Sequence, residues 1–476
     1  MARTQWLVVV GVVGIVGVGA WWLRGGEAEP SASPAAPAPV VPPKPAEPSP
    51  GPATAMRPDA VPVHPFTPSH PEVPLPEVPL ALPGPGTAAP HAIPLSEDLG
   101  KVREHLVRAV HDHGRDPNNP WAIAHAMLAL GADLVLPSGE GAVDYLFATY
   151  AETVDVGAEG PSDHLGVAFP SSRGSVRIEP HSDLVLKALV EGGVKPHREV
   201  TVAQTEAEVL DLYRTSLHDA WVEPRSGGPG FATGFRSMDD TPWALQALSS
   251  WSPLGYRWTA IGGHPMTMDA FTEADLRELE TASAALMSAK ERGVMPKKDG
   301  KGILSYSCGG QHLIQGVAHA VARGFGPEDA KARVCAQRDL LRWRIDHELG
   351  TIDPILKERG DDTHLAVVLL DQRLKFLGHT METLGKIDAY GYCGFTEDDA
   401  KAWERLGVEL SRTVLTLDRL GVFRDLQGVR EDHGYDRYRP NSGGAEQVYL
   451  DLVGDSSHAI RGIDMITGKG TIAFAR

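Results

Sequence analysis

Cysteine is scarce in this sequence: the 476-residue chain contains Cys308, Cys335 and Cys393 and no others. So few cysteines exclude a fold that depends on a disulfide framework, although an oxidising compartment would allow one bridge. Basic residues are also outnumbered, with 45 Lys and Arg against 62 Asp and Glu and a formal net charge of -17. Because nucleic-acid binding requires clustered cations, we expect no nucleic-acid partner.

Two common catalytic motifs are incomplete. Gly468-Lys469-Gly470-Thr471 lacks the glycine spacing and the following helix of a phosphate loop, and His347-Glu348 lacks the second histidine of a zinc-protease motif. Strand patterns are also sparse. Residues 166–178 could form a small hairpin and residues 471–475 a terminal strand, but the remaining pattern after residue 95 is helical.

The N-terminus carries the one long apolar run. Residues 6–23 contain no charge, and about 18 apolar residues is near the minimum for a membrane span. We therefore predict a single-pass anchor at 1–26 in a bacterial inner membrane, with the remaining chain in the periplasm or outside the cell. The alternative is a cleaved signal peptide with Gly19 and Ala20 near the cleavage site.

A Pro- and Ala-rich segment follows at residues 27–94, with few charges and no helical period. This composition predicts a disordered linker with polyproline II character. Fully extended, it would reach about 200 Å, at roughly 3.1 Å per residue. The folded part is then predicted at residues 95–476, long enough to bury a sizeable core.

Amphipathic patterns after residue 95 predict six helical hairpins. Within most pairs the first helix is longer and more charged, and the second is more apolar. In a closed ring of helix pairs the outer helix faces water and the inner helix is packed on nearly all sides. Gly378 could divide the fifth inner helix in two. The predicted pairs are 96–113 with 119–131, 141–153 with 182–191, 205–220 with 241–251, 272–292 with 311–323, 327–348 with 363–389, and 397–420 with 456–466.

Short motifs recur at the starts of the predicted inner helices. Asp239-Asp240-Thr241-Pro242-Trp243 combines capping residues with a proline at the first helical position. Asn118-Asn119-Pro120-Trp121 repeats its Pro-Trp core, and Asp361-Asp362-Thr363-His364 repeats its cap. Such echoes indicate one supersecondary unit used several times.

An Asp-Asp-Thr cap before an apolar helix, within alternating inner and outer helices, resembles the α/α toroids of terpenoid cyclases and protein prenyltransferases. The six-pair count also resembles the α/α barrels of glycosidases, polysaccharide lyases and epimerases. These resemblances imply an all-α (α/α)6-type toroid with a central cavity. The chain departs from the cyclases where Ser237 and Arg359 replace the first Asp of the Asp-x-Asp-Asp acid. It also lacks the Asp-x-Cys of the prenyltransferase zinc site.

Histidines recur at the predicted inner-helix starts and form the main candidate site. In a toroid these helix ends converge, so their imidazoles could act as general bases, metal ligands or hydroxyl-binding groups. Glu382, three residues after His379, is expected on the same helix face. The alternative is that each histidine caps or packs its own helix. The candidate histidines are His125, His181, His312, His364, His379 and His458.

A second candidate joins Cys308 to His312, four residues later, with His379 or an aspartate as a further ligand. This set could hold zinc. Structural zinc sites usually have paired ligands, which favours a buried or disulfide-bonded cysteine here. We therefore assign no residue as a metal ligand from the sequence. Zinc is the cofactor that these residues would suit.

The remaining candidates are acids and a loop. Asp239, Asp240, Asp361 and Asp362 could supply the acid and the nucleophile for a glycosidic bond, or simply cap helices, a contribution of roughly 1 kcal/mol. Tyr435 and Arg437 could abstract a proton beside a uronic carboxylate and neutralise that carboxylate.

Three functions are consistent with these residues. The first is a binding or scaffold role in the cell envelope, with a glycan or small molecule as ligand. The second is a carbohydrate-active hydrolase or lyase. The third is an isoprenoid-handling enzyme, which the low aromatic content of 7% disfavours because carbocations need ring faces.

Overall fold

The computed structural model describes residues 87–154, 166–221, 241–296, 302–440 and 443–472. This part of the chain is mostly helical, as predicted. The predicted membrane anchor and residues 27–86 of the predicted linker lie outside the described residues. Within the described ranges, no helix has both the length and the apolar character that a membrane crossing requires.

The helices alternate between longer and shorter members along most of the chain. In chain order they are α1 (Glu97–His113), α2 (Pro120–Leu130), α3 (Ala142–Tyr150), α4 (Leu184–Glu191), α5 (Val209–Asp219), α6 (Thr241–Trp251), α7 (Met268–Arg292), α8 (Gln311–Ala322), α9 (Ala330–Arg359), α10 (Thr363–Tyr390), α11 (Glu397–Arg419), α12 (Leu426–Glu431) and α13 (Gly444–Ile466).

Short antiparallel strand pairs connect the helices. They are β1 (Thr87–Ala88) with β10 (Thr471–Ile472), β2 (Glu152–Val154) with β3 (Gly166–Ala168), β4 (Ser172–Arg173) with β5 (Val176–Arg177), β6 (Glu199–Val202) with β7 (Thr205–Glu208), and β8 (Arg257–Ala260) with β9 (His264–Thr267). The predicted hairpin at 166–178 corresponds to β4 and β5, whereas β3 pairs with β2. The β1–β10 pair joins residues 87 and 88 to the C-terminal end, and Ile93 N–H donates to Ile466 O.

Several predicted helix boundaries are wrong, and α9 ends at Arg359 rather than at residue 348. Residues 205–208 form β7 because Ala203 and Gln204 adopt positive φ in a tight hairpin turn. The last helix begins at Gly444 rather than at residue 456. Helix α10 is continuous across Gly378, because this glycine packs against α13. A Cβ at Gly378 would lie 2.9 Å from the backbone nitrogen of Ala459.

Six helices contact one another in sequence: α2 contacts α4, α4 contacts α6, α6 contacts α8, α8 contacts α10, α10 contacts α13, and α13 contacts α2. These are the more apolar members of the predicted pairs. The helices α1, α7, α9 and α11 pack against members of this group. A disulfide between Cys335 of α9 and Cys393, just after α10, adds a covalent link.

Candidate functional site

A cavity of about 430 Å³ lies among α2, α6, α8, α10 and α13, a volume typical of small-molecule sites. Its lining is rich in imidazoles and charged groups rather than in aliphatic side chains. Trp121 and Trp243 also reach it, but both are buried against histidines, as expected for core wedges. The titratable side chains on its walls include those of His125, His181, His312, His379, His458, Cys308, Lys375, Arg439, Asp451 and Asp455.

Five of the six predicted histidines line this cavity. The rings of His379 and His458 lie 3.9 Å apart between centroids, and those of His312 and His379 lie 4.8 Å apart. His125 is 5.6 Å from His458, and His181 stacks on Trp243. The inner helices therefore bring together imidazoles that are far apart in the sequence.

The hydrogen bonds of these histidines fix their ring orientations. His379 Nδ1 donates to the carbonyl of Lys375 at 2.8 Å, so its Nε2 carries a lone pair. His458 Nδ1 is 2.7 Å from the Glu382 carboxylate, and its Nε2 has no hydrogen-bond partner. His312 Nε2 lies 3.2 Å from His379 Nε2, and His312 Nδ1 has no hydrogen-bond partner.

Burial keeps these rings neutral. Loss of hydration lowers the pKa of His125, His312 and His379 well below the usual value for histidine, and neighbouring imidazoles add to the effect. Burial also lowers the pKa of His458, although Glu382 opposes this. At neutral pH the cavity therefore presents uncharged imidazoles, which can accept protons or hydrogen bonds.

Cys308 lies at the same end of the cavity, outside the disulfide. Its backbone, with that of Gly309 and Gly310, adopts positive φ immediately before α8, with φ of 53° at Cys308. Ligand atoms of Cys308, His312 and His379 all lie within 4.8 Å of one another. The local Ser-Cys-Gly-Gly sequence thus forms a turn that places the thiol beside two imidazoles.

Opposite charges meet elsewhere on the cavity wall. Lys375 Nζ lies 3.2 Å from Asp451 and 3.7 Å from Asp455. Arg439 lies 3.3 Å from Asp451 and 3.5 Å from Asp371. Gln447 donates a further hydrogen bond to Asp451 at 2.7 Å.

The carboxyl groups of this cluster differ in charge. Burial raises the pKa of Asp455 well above its usual range and raises that of Asp371 to about 7. Burial acts in the same direction on Asp451, but Lys375 and Arg439 outweigh it, so the pKa of Asp451 is lowered. Burial therefore favours the protonated form of Asp455, whereas Lys375 and Arg439 favour the ionised form of Asp451, one helical turn away on α13.

Sequence reasoning missed Asp371, Lys375, Asp451 and Asp455. A signal was present, because polar residues recur at spacings of three or four along otherwise apolar helices. On α10 the stripe is Asp371, Lys375, His379, Glu382 and Lys386, and on α13 it is Gln447, Asp451, Asp455 and His458. Such a stripe on a buried helix indicates a polar cavity or a polar contact within the core.

Glu382 was predicted as a binding residue, but it lies behind the histidines rather than on the cavity wall. It is fully buried and contacts Lys386 at 2.7 Å, Arg461 at 2.8 Å and His458. Arg461 and Lys386 also contact Glu191 of α4. The position of Glu382 follows from helix geometry. Three residues after His379, the helix has advanced almost one turn along its axis and has passed the cavity.

The other predicted site residues form a separate cluster at the start of α10. Asp362 caps this helix by accepting from Leu365 N–H and also contacts Arg437 at 2.8 Å. His364 bonds to Asp432 at 2.8 Å, and the Tyr435 ring lies 4.7 Å from it, edge-on.

None of these residues lines the cavity, and Asp361 is exposed. Their placement follows from the helix cap, because these residues lie around the N-terminal end of α10 rather than along its buried face. Asp239 and Asp240 lie outside the described residues.

Comparisons with protein-family models, with curated proteins and with solved structures found no match.

Proposed function

We propose that this protein is a membrane-tethered enzyme of the bacterial cell envelope that hydrolyses a glycosidic bond of an acidic carbohydrate. The carboxyl pair Asp451 and Asp455 carries the proposal. Both groups are buried, both face one cavity, and they differ in partners. Asp451 contacts Lys375, Arg439 and Gln447, whereas Asp455 Oδ2 has no hydrogen-bond partner.

Glycoside hydrolysis needs one protonated and one ionised carboxyl group beside the scissile bond. In the proposed reaction Asp455 gives its proton to the leaving glycosidic oxygen as the bond to the anomeric carbon breaks. Asp451 takes a proton from the water that adds to that carbon. Neutral imidazoles one turn further along α10 and α13, those of His379 and His458, bind sugar hydroxyls.

The charge of the wall supports an acidic substrate. Lys375 and Arg439 both contact Asp451, whose pKa is lowered, whereas the pKa values of Asp371 and Asp455 are raised by burial. Arg344 and Glu348 neutralise each other at 3.1 Å. The excess positive charge in a chain of net charge -17 favours a ligand with a carboxylate or sulfate group.

The proposed architecture is an (α/α)6-type toroid. Support comes from the circuit of contacts that runs from α2 through α4, α6, α8 and α10 to α13 and back to α2. Support for a location outside the cytoplasm comes from the Cys335–Cys393 disulfide, because such bridges persist in oxidising compartments. The apolar run at residues 6–23 is consistent with a tether in the inner membrane.

A binding role without turnover is the second candidate. It is favoured by the three partners of Asp451, since a carboxylate held by Lys375, Arg439 and Gln447 is restrained from accepting a proton. In that case the same cavity would bind the acidic sugar and release it unchanged.

The test measures reducing ends released from alginate, pectate, hyaluronan and peptidoglycan by the purified full-length chain. We expect cleavage of at least one substrate, with a 10²- to 10⁴-fold loss of rate in Asp455→Asn. The exposed Asp398 supplies the matched control, and Asp398→Asn should retain wild-type activity. Saturable binding without cleavage would replace the enzyme proposal by the binding role, and neither cleavage nor binding would overturn both.

A further inference from the structure

We infer that Cys308, His312 and His379 form a binding site for one zinc ion at the histidine-rich end of the cavity. The three residues come from the turn before α8, from its first turn and from the middle of α10. Their ligand atoms lie within 4.8 Å of one another, so a single ion between them could contact all three after small side-chain movements.

The closest pair of ligand atoms has the spacing that zinc imposes. His312 Nε2 and His379 Nε2 are 3.2 Å apart. Two nitrogens at 2.0–2.1 Å from a tetrahedral zinc ion are about 3.3–3.4 Å apart. Little rearrangement of the imidazoles is therefore needed to admit the ion.

The surroundings orient one of the two histidine ligands, His379, as in known metal sites. A histidine that binds a metal through one nitrogen usually donates its other N–H to a carbonyl or carboxylate. His379 meets this condition, because its Nδ1 donates to the Lys375 carbonyl at 2.8 Å. His458 lies against His379 with its Nδ1 on Glu382 and with no hydrogen-bond partner for its buried Nε2. The unpartnered nitrogen indicates that this corner of the cavity is built for a ligand.

The backbone at Cys308 supplies an independent observation. A non-glycine residue at φ 53° costs about 1 kcal/mol or more, and such positions cluster at functional sites. Here the turn directs the cysteine side chain to the cavity lining, next to His312.

The ligand set favours zinc over harder cations. Thiolate and imidazole ligands suit zinc, whereas magnesium and calcium prefer oxygen. Three protein ligands would leave the fourth tetrahedral position for a water molecule or a ligand oxygen from the cavity, the arrangement of catalytic rather than structural zinc.

The experiment measures the metal content of the purified full-length chain, then titrates the chelator-treated protein with Zn²⁺, Mg²⁺ and Co²⁺. We expect one zinc per chain, no competition from Mg²⁺, and a thiolate-to-cobalt charge-transfer band in the ultraviolet. Because Cys335 and Cys393 are joined in a disulfide, this band would report Cys308.

Two variants and a matched control sharpen the assignment. Cys308→Ser should abolish the cobalt band, and His379→Asn should weaken zinc binding more than the 10- to 100-fold expected for loss of an outer-shell partner. His347, whose Nδ1 bonds to Trp343 O on α9, does not line the cavity. His347→Asn should therefore bind zinc like the wild type.

Absence of zinc binding by the folded wild-type chain, or an unchanged cobalt band in Cys308→Ser, would overturn the inference. The zinc stoichiometry and the cobalt spectrum of the wild-type chain test the inference even if a variant fails to fold. The readout is metal binding rather than turnover, so its failure would leave the carbohydrate proposal standing.

Discussion

Two buried polar layers, centred on α10 and α13 and completed by residues of α4 and α8, differ in how completely their groups are paired. The first, which we call the inner layer, consists of Glu191, Glu382, Lys386 and Arg461. In it each carboxylate has at least two cationic partners, and none of the four side chains has a buried unpaired atom. The second, the cavity layer, consists of Asp371, Lys375, Asp451, Asp455, His312, His379 and His458.

The cavity layer leaves several buried atoms without hydrogen-bond partners. They are His312 Nδ1, His458 Nε2, Asp371 Oδ1 and Asp455 Oδ2. Unpaired buried polar atoms are costly and rare in folded proteins. The comparison teaches that burial of charge alone does not identify a functional site. Buried polar atoms that lack hydrogen-bond partners beside a cavity are a better indication of a ligand site, because a ligand can supply those partners.

The largest expected effect comes from breaking the inner layer. Arg461→Ala removes the cation that contacts Glu191, Glu382 and the carbonyl of Leu128. Because two buried carboxylates then lose a partner, we expect the free energy of unfolding to fall by about 3–5 kcal/mol. The free energy of unfolding is measured by urea denaturation, with circular dichroism as the signal.

The exposed pair Lys101 and Glu97 on α1 provides the control for this experiment. Lys101→Ala should leave the urea midpoint unchanged, because solvent screens an exposed ion pair. If the free energy of unfolding of Arg461→Ala changed by less than 1 kcal/mol, the inner layer would not be structural. The contrast between the inner layer and the cavity layer would then disappear.

An intermediate effect is expected in the cavity layer at Asp371. Its pKa is raised to about 7 by burial, with Asp451 adding to the shift and Lys375 and Arg439 opposing it. A carboxyl group with a raised folded-state pKa binds more protons when folded. It therefore destabilises the folded protein progressively as pH rises from about 4 to about 7.

Asp371→Asn removes this titration. The stability of the variant relative to the wild type should rise with pH across that window, by about 4 kcal/mol, and then level off. Urea unfolding is measured for both proteins at each pH. The comparison is needed because other buried groups titrate in the same range and affect both proteins alike. Asp398→Asn should show no such trend, and a relative stability of Asp371→Asn that stays flat from pH 4 to 8 would contradict the prediction.

The smallest effect is expected outside both layers, at the helix cap formed by Asp362. Asp362→Ala removes the acceptor for Leu365 N–H and should lower the free energy of unfolding by about 1 kcal/mol. Asp362→Asn keeps a capping side chain and should lose less. A loss above 3 kcal/mol would mean that this cluster resembles the inner layer rather than a surface cap.

Sequence patterns predicted most of the longer helices and several of their caps, including Asn119 and Asp362. The sequence also predicted that six histidines at inner-helix starts could share a cavity. Five of them line it, although His379 and His458 lie in the middle of α10 and α13 rather than at their starts. The β6–β7 hairpin was missed because its period-2 pattern is only four residues long on each side of Ala203-Gln204.

Most partners of Lys375 and Glu382 could not be predicted. Apart from Lys386, four residues after Glu382 on α10, they come from another helix, α13. Helical periodicity shows which side of a helix a residue occupies but not which residue of another helix it contacts.

The sequence by itself determined that this part of the chain is mostly helical, where several helices are capped and which of their faces are apolar, because caps and periodicity act over a few residues. Only the tertiary structure decided which polar side chains meet. His312 and His379 are 67 residues apart, and His458 and Glu382 are 76 apart. Contacts over such separations depend on how α8, α10 and α13 pack together. That packing is set by close approaches such as Gly378 against Ala459, which a local pattern does not encode.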